Sequence, residues 1–230
     1  EYSLLTFIFN WKNMTGSISD LFTAIKKGDL ASVTAILDLN PEFSAGHDEN
    51  GLSAILTAVY YQQPEIAQYI MQRSVSISLF EACAAGSIKH VQSNLRQNPS
   101  LLNAFSPDGF QPLGLAAFFG HIEIVQFLID SGADIDTPSN NNMTVSPLNS
   151  AVAGGHLEIA RVLLEHGANP NFPQADGFVP LHAAAQNGQS EMVKLLLNYG
   201  ADPRLKNKDG KTAFDIASTS GYIELAQLLK

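Results

Sequence analysis

Six histidines and one cysteine are the residues of this 230-residue sequence best equipped for chemistry, and their spacing decides what they could do. His47, His90, His121, His156, His166 and His182 contain no HExxH arrangement, the spacing that turns two imidazoles toward one zinc ion on a helix. Cys83 has no second cysteine to complete a zinc site or close an intrachain disulfide. It stands in the small-residue run Ala82-Cys83-Ala84-Ala85, where a thiol reads as a buried apolar group rather than a nucleophile. No Gly-rich phosphate loop, nucleophile elbow or dinucleotide fingerprint occurs, because helix ends and turns account for the glycines. The expectation is a protein without catalytic residues, cofactor or metal.

Composition narrows the partners. Against 13 Lys and Arg stand 22 Asp and Glu, a formal charge of -9, which is the wrong sign for gripping a phosphate backbone or an anionic membrane. The lone cysteine fits a reducing compartment, so the cytoplasm is expected. No stretch reaches the roughly 18 apolar residues of a spanning helix. The apolar Leu4 to Phe9 segment lacks the basic lead and small-residue cleavage pattern of a signal peptide. Residues 1–17 are set apart as an N-terminal segment. Of these, residues 1–13 precede Met14 and are read as outside the repeat fold, whether upstream-translated or carried over from cloning.

The elements that position these residues follow from a repeat. Aligned on the alanine inside each apolar helix, the positions are Ala24, Ala58, Ala82, Ala116, Ala151, Ala184 and Ala217, separated by 34, 24, 34, 35, 33 and 33 residues. Four residues after most of them comes a glycine: Gly28, Gly86, Gly120, Gly155, Gly188 and Gly221. A glycine there ends a helix in the left-handed conformation without steric penalty. A second amphipathic helix follows, such as His121 to Ile129, and then Gly132-Ala133-Asp134, Gly167-Ala168-Asn169 or Gly200-Ala201-Asp202 marks a second stop.

Pro180-Leu181-His182-Ala183-Ala184-Ala185 followed by Gly188 resembles the Thr-Pro-Leu-His-x-Ala-Ala element of the ankyrin repeat, with Val179 in place of threonine. Pro112-Leu113 and Pro147-Leu148 repeat its centre, while Thr212-Ala213-Phe214 and Ser53-Ala54-Ile55 are looser copies. The resemblance covers residues 18–230 as about seven repeats beginning near Ile18, Gly51, Ser78, Gly109, Thr144, Gly177 and Gly210. It implies an all-α ankyrin-repeat solenoid of helix-turn-helix units with short β-hairpin fingers, of the stand-alone, bacterial type. His121, His156 and His182 fall where that family carries structural histidine. The gap between Ala58 and Ala82 is about ten residues short of the family period, so the finger between repeats two and three is expected to be missing or reduced to a tight loop.

The resemblance also implies where a partner binds: the hairpin tips and the exposed face of each first helix, just before its stop glycine. Those positions are Lys26-Lys27, Tyr60-Tyr61, Ala84-Ala85, Phe118-Phe119, Ala153-Gly154, Gln186-Asn187 and Thr219-Ser220. Leu52, Phe110 and Phe178 join the same side, with Val145 at the equivalent place in repeat five. Two aromatic pairs flanking a small pair are the makings of a protein-binding hot spot, so Leu52, Tyr60, Tyr61, Ala84, Ala85, Phe110, Phe118, Phe119 and Phe178 form the candidate surface. The competing reading is that one member of each pair is ordinary core. The tips at His47-Asp48-Glu49, Ser106-Pro107-Asp108, Gln174-Ala175-Asp176 and Lys208-Asp209 provide a polar rim or simply solvated turns. The expected function is that of a monomeric, non-catalytic scaffold for an unidentified protein, with no nucleic acid or membrane. Two other readings are a small molecule or lipid in an apolar groove, and assembly with a separately encoded enzyme.

Overall fold

A computed structural model describes residues 16–230, so the expectation for residues 1–13 lies outside the described residues. The chain divides into two compact units, one reaching Glu81 and the other running from Ala82 to Lys230.

The first unit opens at Ser17. Its hydroxyl accepts from the Asp20 N–H at 3.2 Å, and the Asp20 carboxylate accepts from the Ser17 N–H at 2.7 Å, so two orphan donors at the helix start are satisfied reciprocally. Helix α1 (Ile18–Lys27) then pairs with α2 (Leu30–Leu39), and α3 (Ala54–Tyr60) with α4 (Pro64–Arg73). Between α3 and α4 the sequence lacks the stop glycine of the other repeats. Gln62 takes the left-handed turn instead, at φ 56°, a conformation that costs a side-chain-bearing residue about 1 kcal/mol. After α4 the chain passes through residues 74–78 straight into α5 (Leu79–Ala84), and the expected shortened connection is present.

In the second unit each first helix is short, and the central ones are nearly encased. Helix α7 (Pro112–Phe119) buries every residue from Pro112 to Ala117. The remaining helices are α6 (Ile88–Gln97), α8 (Ile122–Asp130), α9 (Pro147–Ala153), α10 (Leu157–Glu165), α11 (Pro180–Gln186), α12 (Ser190–Asn198), α13 (Ala213–Thr219) and α14 (Ile223–Leu228). Helices this short are marginal alone in water, so tertiary packing must hold them. First helices pack on first helices, as α7 on α9 and α9 on α11, and second helices on second helices, as α8 on α10 and α10 on α12. Leu113, Leu148 and Leu181 fill the first layer and Leu128, Leu163 and Leu196 the second, all within 1% of complete burial. Stability of such a stack is a sum of unit and interface terms.

Proline opens α7, α9 and α11, where its missing N–H leaves no bond unmade. Ser146, fully buried, caps α9: its hydroxyl accepts from the Asn149 N–H at 3.2 Å and donates to the Asn149 side-chain oxygen at 2.7 Å. Ser146→Ala removes the cap and leaves that buried oxygen without its donor, and should cost roughly 1–2 kcal/mol in chemical denaturation.

The fingers are turns rather than strands. In each, the first residue's N–H reaches the carbonyl at its base, as Ser106 to Phe110 at 2.9 Å, Gln174 to Phe178 at 2.7 Å and Asn207 to Lys211 at 3.0 Å. Among the described residues the one β-bridge joins His47 and Ser53. Neighbouring tips are bonded to one another: the Asn140 N–H donates to Gly109 O, Ala175 to Met143 O and Lys208 to Asp176 O, at 2.9 to 3.1 Å. Repeats one and three also end differently from the later ones. Asn40-Pro41 and Asn98-Pro99 start 3-10 turns at Pro41–Ala45 and Pro99–Asn103, where later repeats carry Gly-Ala-Asp or Gly-Ala-Asn.

Candidate protein-binding surface

The candidate residues fall into two groups. Leu52, Tyr60 and Tyr61 belong to the first unit, and Ala84, Ala85, Phe110, Phe118, Phe119 and Phe178 to the second. Tyr61 is 48% exposed, with Lys26 Nζ 5.7 Å from its ring centre; the same ammonium lies 3.7 Å from the Asp48 carboxylate in the nearby turn. Leu52 and Tyr60 are half-buried.

In the second unit Phe118 is 40% exposed at the end of α7, and its ring meets Phe119 edge-on with centroids 5.0 Å apart. Phe119, Phe110, Phe178 and Ala85 are half-buried. The Phe178 ring packs edge-on against His182 at 5.4 Å, so part of it serves the repeat itself. Ala84 departs from expectation. Its side chain is buried, and its carbonyl accepts a hydrogen bond from His121 Nε2 at 2.9 Å, so it contributes to packing rather than to a surface. Beyond Phe118 the exposed positions are small and polar: Ala153, Gly154, Gln186, Asn187, Thr219 and Ser220.

Histidines tie neighbouring repeats together along this face. His121 Nε2 donates to Ala84 O and His156 Nε2 to Phe118 O, each at 2.9 Å, tying the start of one second helix to the end of the preceding first helix. A carbonyl can only accept, so both rings carry their proton on Nε2. The stop glycine is the other half of this joint. Gly120 sits at φ 85°, and a side chain there would come within 2.5 Å of the His156 ring. Gln189 repeats the joint, donating to Val152 O at 3.1 Å. His182 uses both nitrogens, accepting from the Val179 N–H at 3.1 Å and donating to Leu205 O at 3.0 Å. Desolvation holds the pKa of His121 and His182 below the ordinary histidine value, against the opposing help of their carbonyl partners.

Cys83 is buried, and desolvation pushes its thiol far up, so it stays protonated and inert. Among the described residues no cluster of three or more His, Cys, Asp or Glu is arranged to hold a metal ion, and no helix is long and apolar enough to cross a membrane.

A second ladder runs along the loops after the second helices, which sequence reasoning missed. The Asn103 side-chain oxygen accepts from the Asp134 N–H at 3.0 Å, Asp136 from Asn169 at 2.9 Å and Asn171 from Asp202 at 2.8 Å. The signal was available in Asp136 and Asn171, each two residues beyond a Gly-Ala-Asp or Gly-Ala-Asn triplet.

Stacked helix pairs, Pro-Leu openings and His-to-carbonyl joints together define a repeat-built protein. The chain belongs to the ankyrin-repeat family: the family described as "Ankyrin repeats (3 copies)" matches residues 79–174 and 168–230. Among its relatives, alpha-latrocrustotoxin-Lt1a of Latrodectus tredecimguttatus is 27% identical over 119 residues, covering 48% of this chain and 8% of the toxin. DNA-binding protein RFXANK of Homo sapiens is 39% identical over 59 residues, 26% of this chain and 23% of that protein. Putative ankyrin repeat protein FPV240 of fowlpox virus (strain NVSL) is 29% identical over 133 residues, 53% of this chain and 32% of its own length. The chain thus spans under a third of each of these relatives. Ankyrin repeats generally mediate protein–protein interaction.

Proposed function

We propose that this protein is a non-catalytic binding module that holds a partner protein against the exposed ends of its first helices and the adjoining turns. Phe118 carries the reading. A large aromatic side chain 40% open to solvent, backed by a second ring and bordered by small polar residues, is the composition of an interface anchor with its rim. Tyr61 offers a comparable anchor in the first unit, with Lys26 and Asp48 beside it. Action as a monomer in the cytoplasm belongs to the same reading. A polypeptide suits the -9 charge better than nucleic acid or membrane does.

A photocrosslinking residue placed at Ala153 should capture a partner from native extract. Phe118→Ser should lower that partner's affinity about thirtyfold, the scale of a hot-spot loss, while changing stability by no more than about 1 kcal/mol. Equal capture by the Phe118→Ser protein would overturn the assignment, and a collapse in thermal stability would return Phe118 to the core.

A further inference from the structure

The second unit has an open cleft of about 470 Å³ between second helices α6 and α8, lined by none of the residues of the surface above. Leu95, Pro99, Leu102 and Phe127 supply apolar walls, Arg96 the one charge and Ser131 one rim. Two differences in the sequence border the cleft. Ser131, His166 and Tyr199 occupy the same place, the residue closing each second helix just before the Gly-Ala turn. Where the following two repeats carry a ring at that edge, repeat four carries a hydroxymethyl group. The Asn98-Pro99 turn also replaces the Gly-Ala turn on the opposite wall. At about 470 Å³ the cleft has room for an aromatic side chain.

Arg96 is exposed and, among the described residues, enters none of this unit's ion pairs, which are Arg161 with Glu158, Lys194 with Glu191 and Arg204 with Asp202. An exposed guanidinium beside apolar walls complements a carboxylate attached to a large apolar group. The cleft is open rather than enclosed, so it leaves much of a small ligand in water, whereas a polypeptide covers the rim with its neighbouring residues. We propose that the α6–α8 cleft is a second docking point, which receives an aromatic side chain of a partner polypeptide with an acidic residue next to it.

N-acetyl-tryptophanyl-glutamate, titrated into the full ¹⁵N-labelled chain, tests this, with the glutamine and lysine analogues as controls. The amide signals of Arg96, Phe127 and Ser131 should move. The glutamine analogue should bind about threefold more weakly, as expected for losing one exposed ion pair, and the lysine analogue more weakly still. Ser131→Tyr, which places in this repeat the residue that repeat six carries, should abolish the shifts while the circular dichroism spectrum and melting temperature stay as in the parent. Embedding the same dipeptide in a dodecapeptide should tighten binding. Unmoved signals at the cleft, equal binding of the lysine analogue or full binding by the Ser131→Tyr protein would overturn the proposal. A dodecapeptide no tighter than the dipeptide would assign the cleft to a small ligand instead.

Discussion

Leu148→Ala should destabilise the second unit by about 2–5 kcal/mol, because a fully buried side chain at the centre of the stack loses both its transfer energy and its packing. Leu148 lies on α9, which packs against α7 on one side and α11 on the other. A cavity there weakens two interfaces at once. In a stack where each repeat touches only its neighbours, weakening the middle also loosens the coupling between the ends. For a unit of this size the melting temperature should fall by roughly 5–15 °C, and the single transition should broaden or split. Differential scanning calorimetry reads both effects. A small, uniform shift would mean that the repeats are less dependent on one another than their packing implies.

Stability should also decline when the pH is lowered through the histidine range. His121 and His182 have folded-state pKa values below the usual 6.5, so the unfolded chain takes up protons first. Their contribution is fully present above about pH 6.5 and is lost as the pH falls toward their lower folded values. The geometry names the damage at His182. Its Nδ1 accepts the Val179 N–H while Nε2 donates to Leu205 O, and a second proton on Nδ1 would confront that N–H with another donor. The carboxylates Asp20, Asp29, Asp202 and Asp215 act in a different window. Hydrogen bonds from Ser17, Ser32, Arg204 and Thr212 respectively hold their pKa values below 3.8, so their contribution fades only at more acid pH. Urea midpoints at pH 7.5, 6.5 and 5.5 should therefore decrease in that order. His182→Gln should be less stable at pH 7.5 but change less between pH 6.5 and 5.5. A parent protein with equal midpoints at all three values would refute the assignment.

The spacing of Ala82, Ala116, Ala151, Ala184 and Ala217 made the helix pairs readable, because a period in sequence becomes a period in space. The short step from Ala58 to Ala82 likewise announced the reduced connection at residues 74–78. What stayed hidden depended on the distance between repeats. Ala84 occupies the same register as Phe118, yet one is buried and the other open, since register fixes direction along a helix and not what the next unit lays over it. Gln62 adopts a turn reserved elsewhere for glycine, which residue type alone argues against. The cleft beside Arg96 is bordered by Ser131 where the next two repeats carry rings, and its volume depends on how neighbouring second helices pack, which no one repeat's sequence states.

The ladder through Asn103, Asp136 and Asn171 has a consequence for how such a chain can be lengthened or shortened. Each rung joins a side-chain oxygen to the backbone N–H of the following unit, and every amino acid except proline supplies that N–H. Removing the stretch between one rung and the next would leave a new junction with the same donor and acceptor. Modular excision or duplication of repeats is thereby compatible with closed joints, whatever side chains evolution writes on the faces between them.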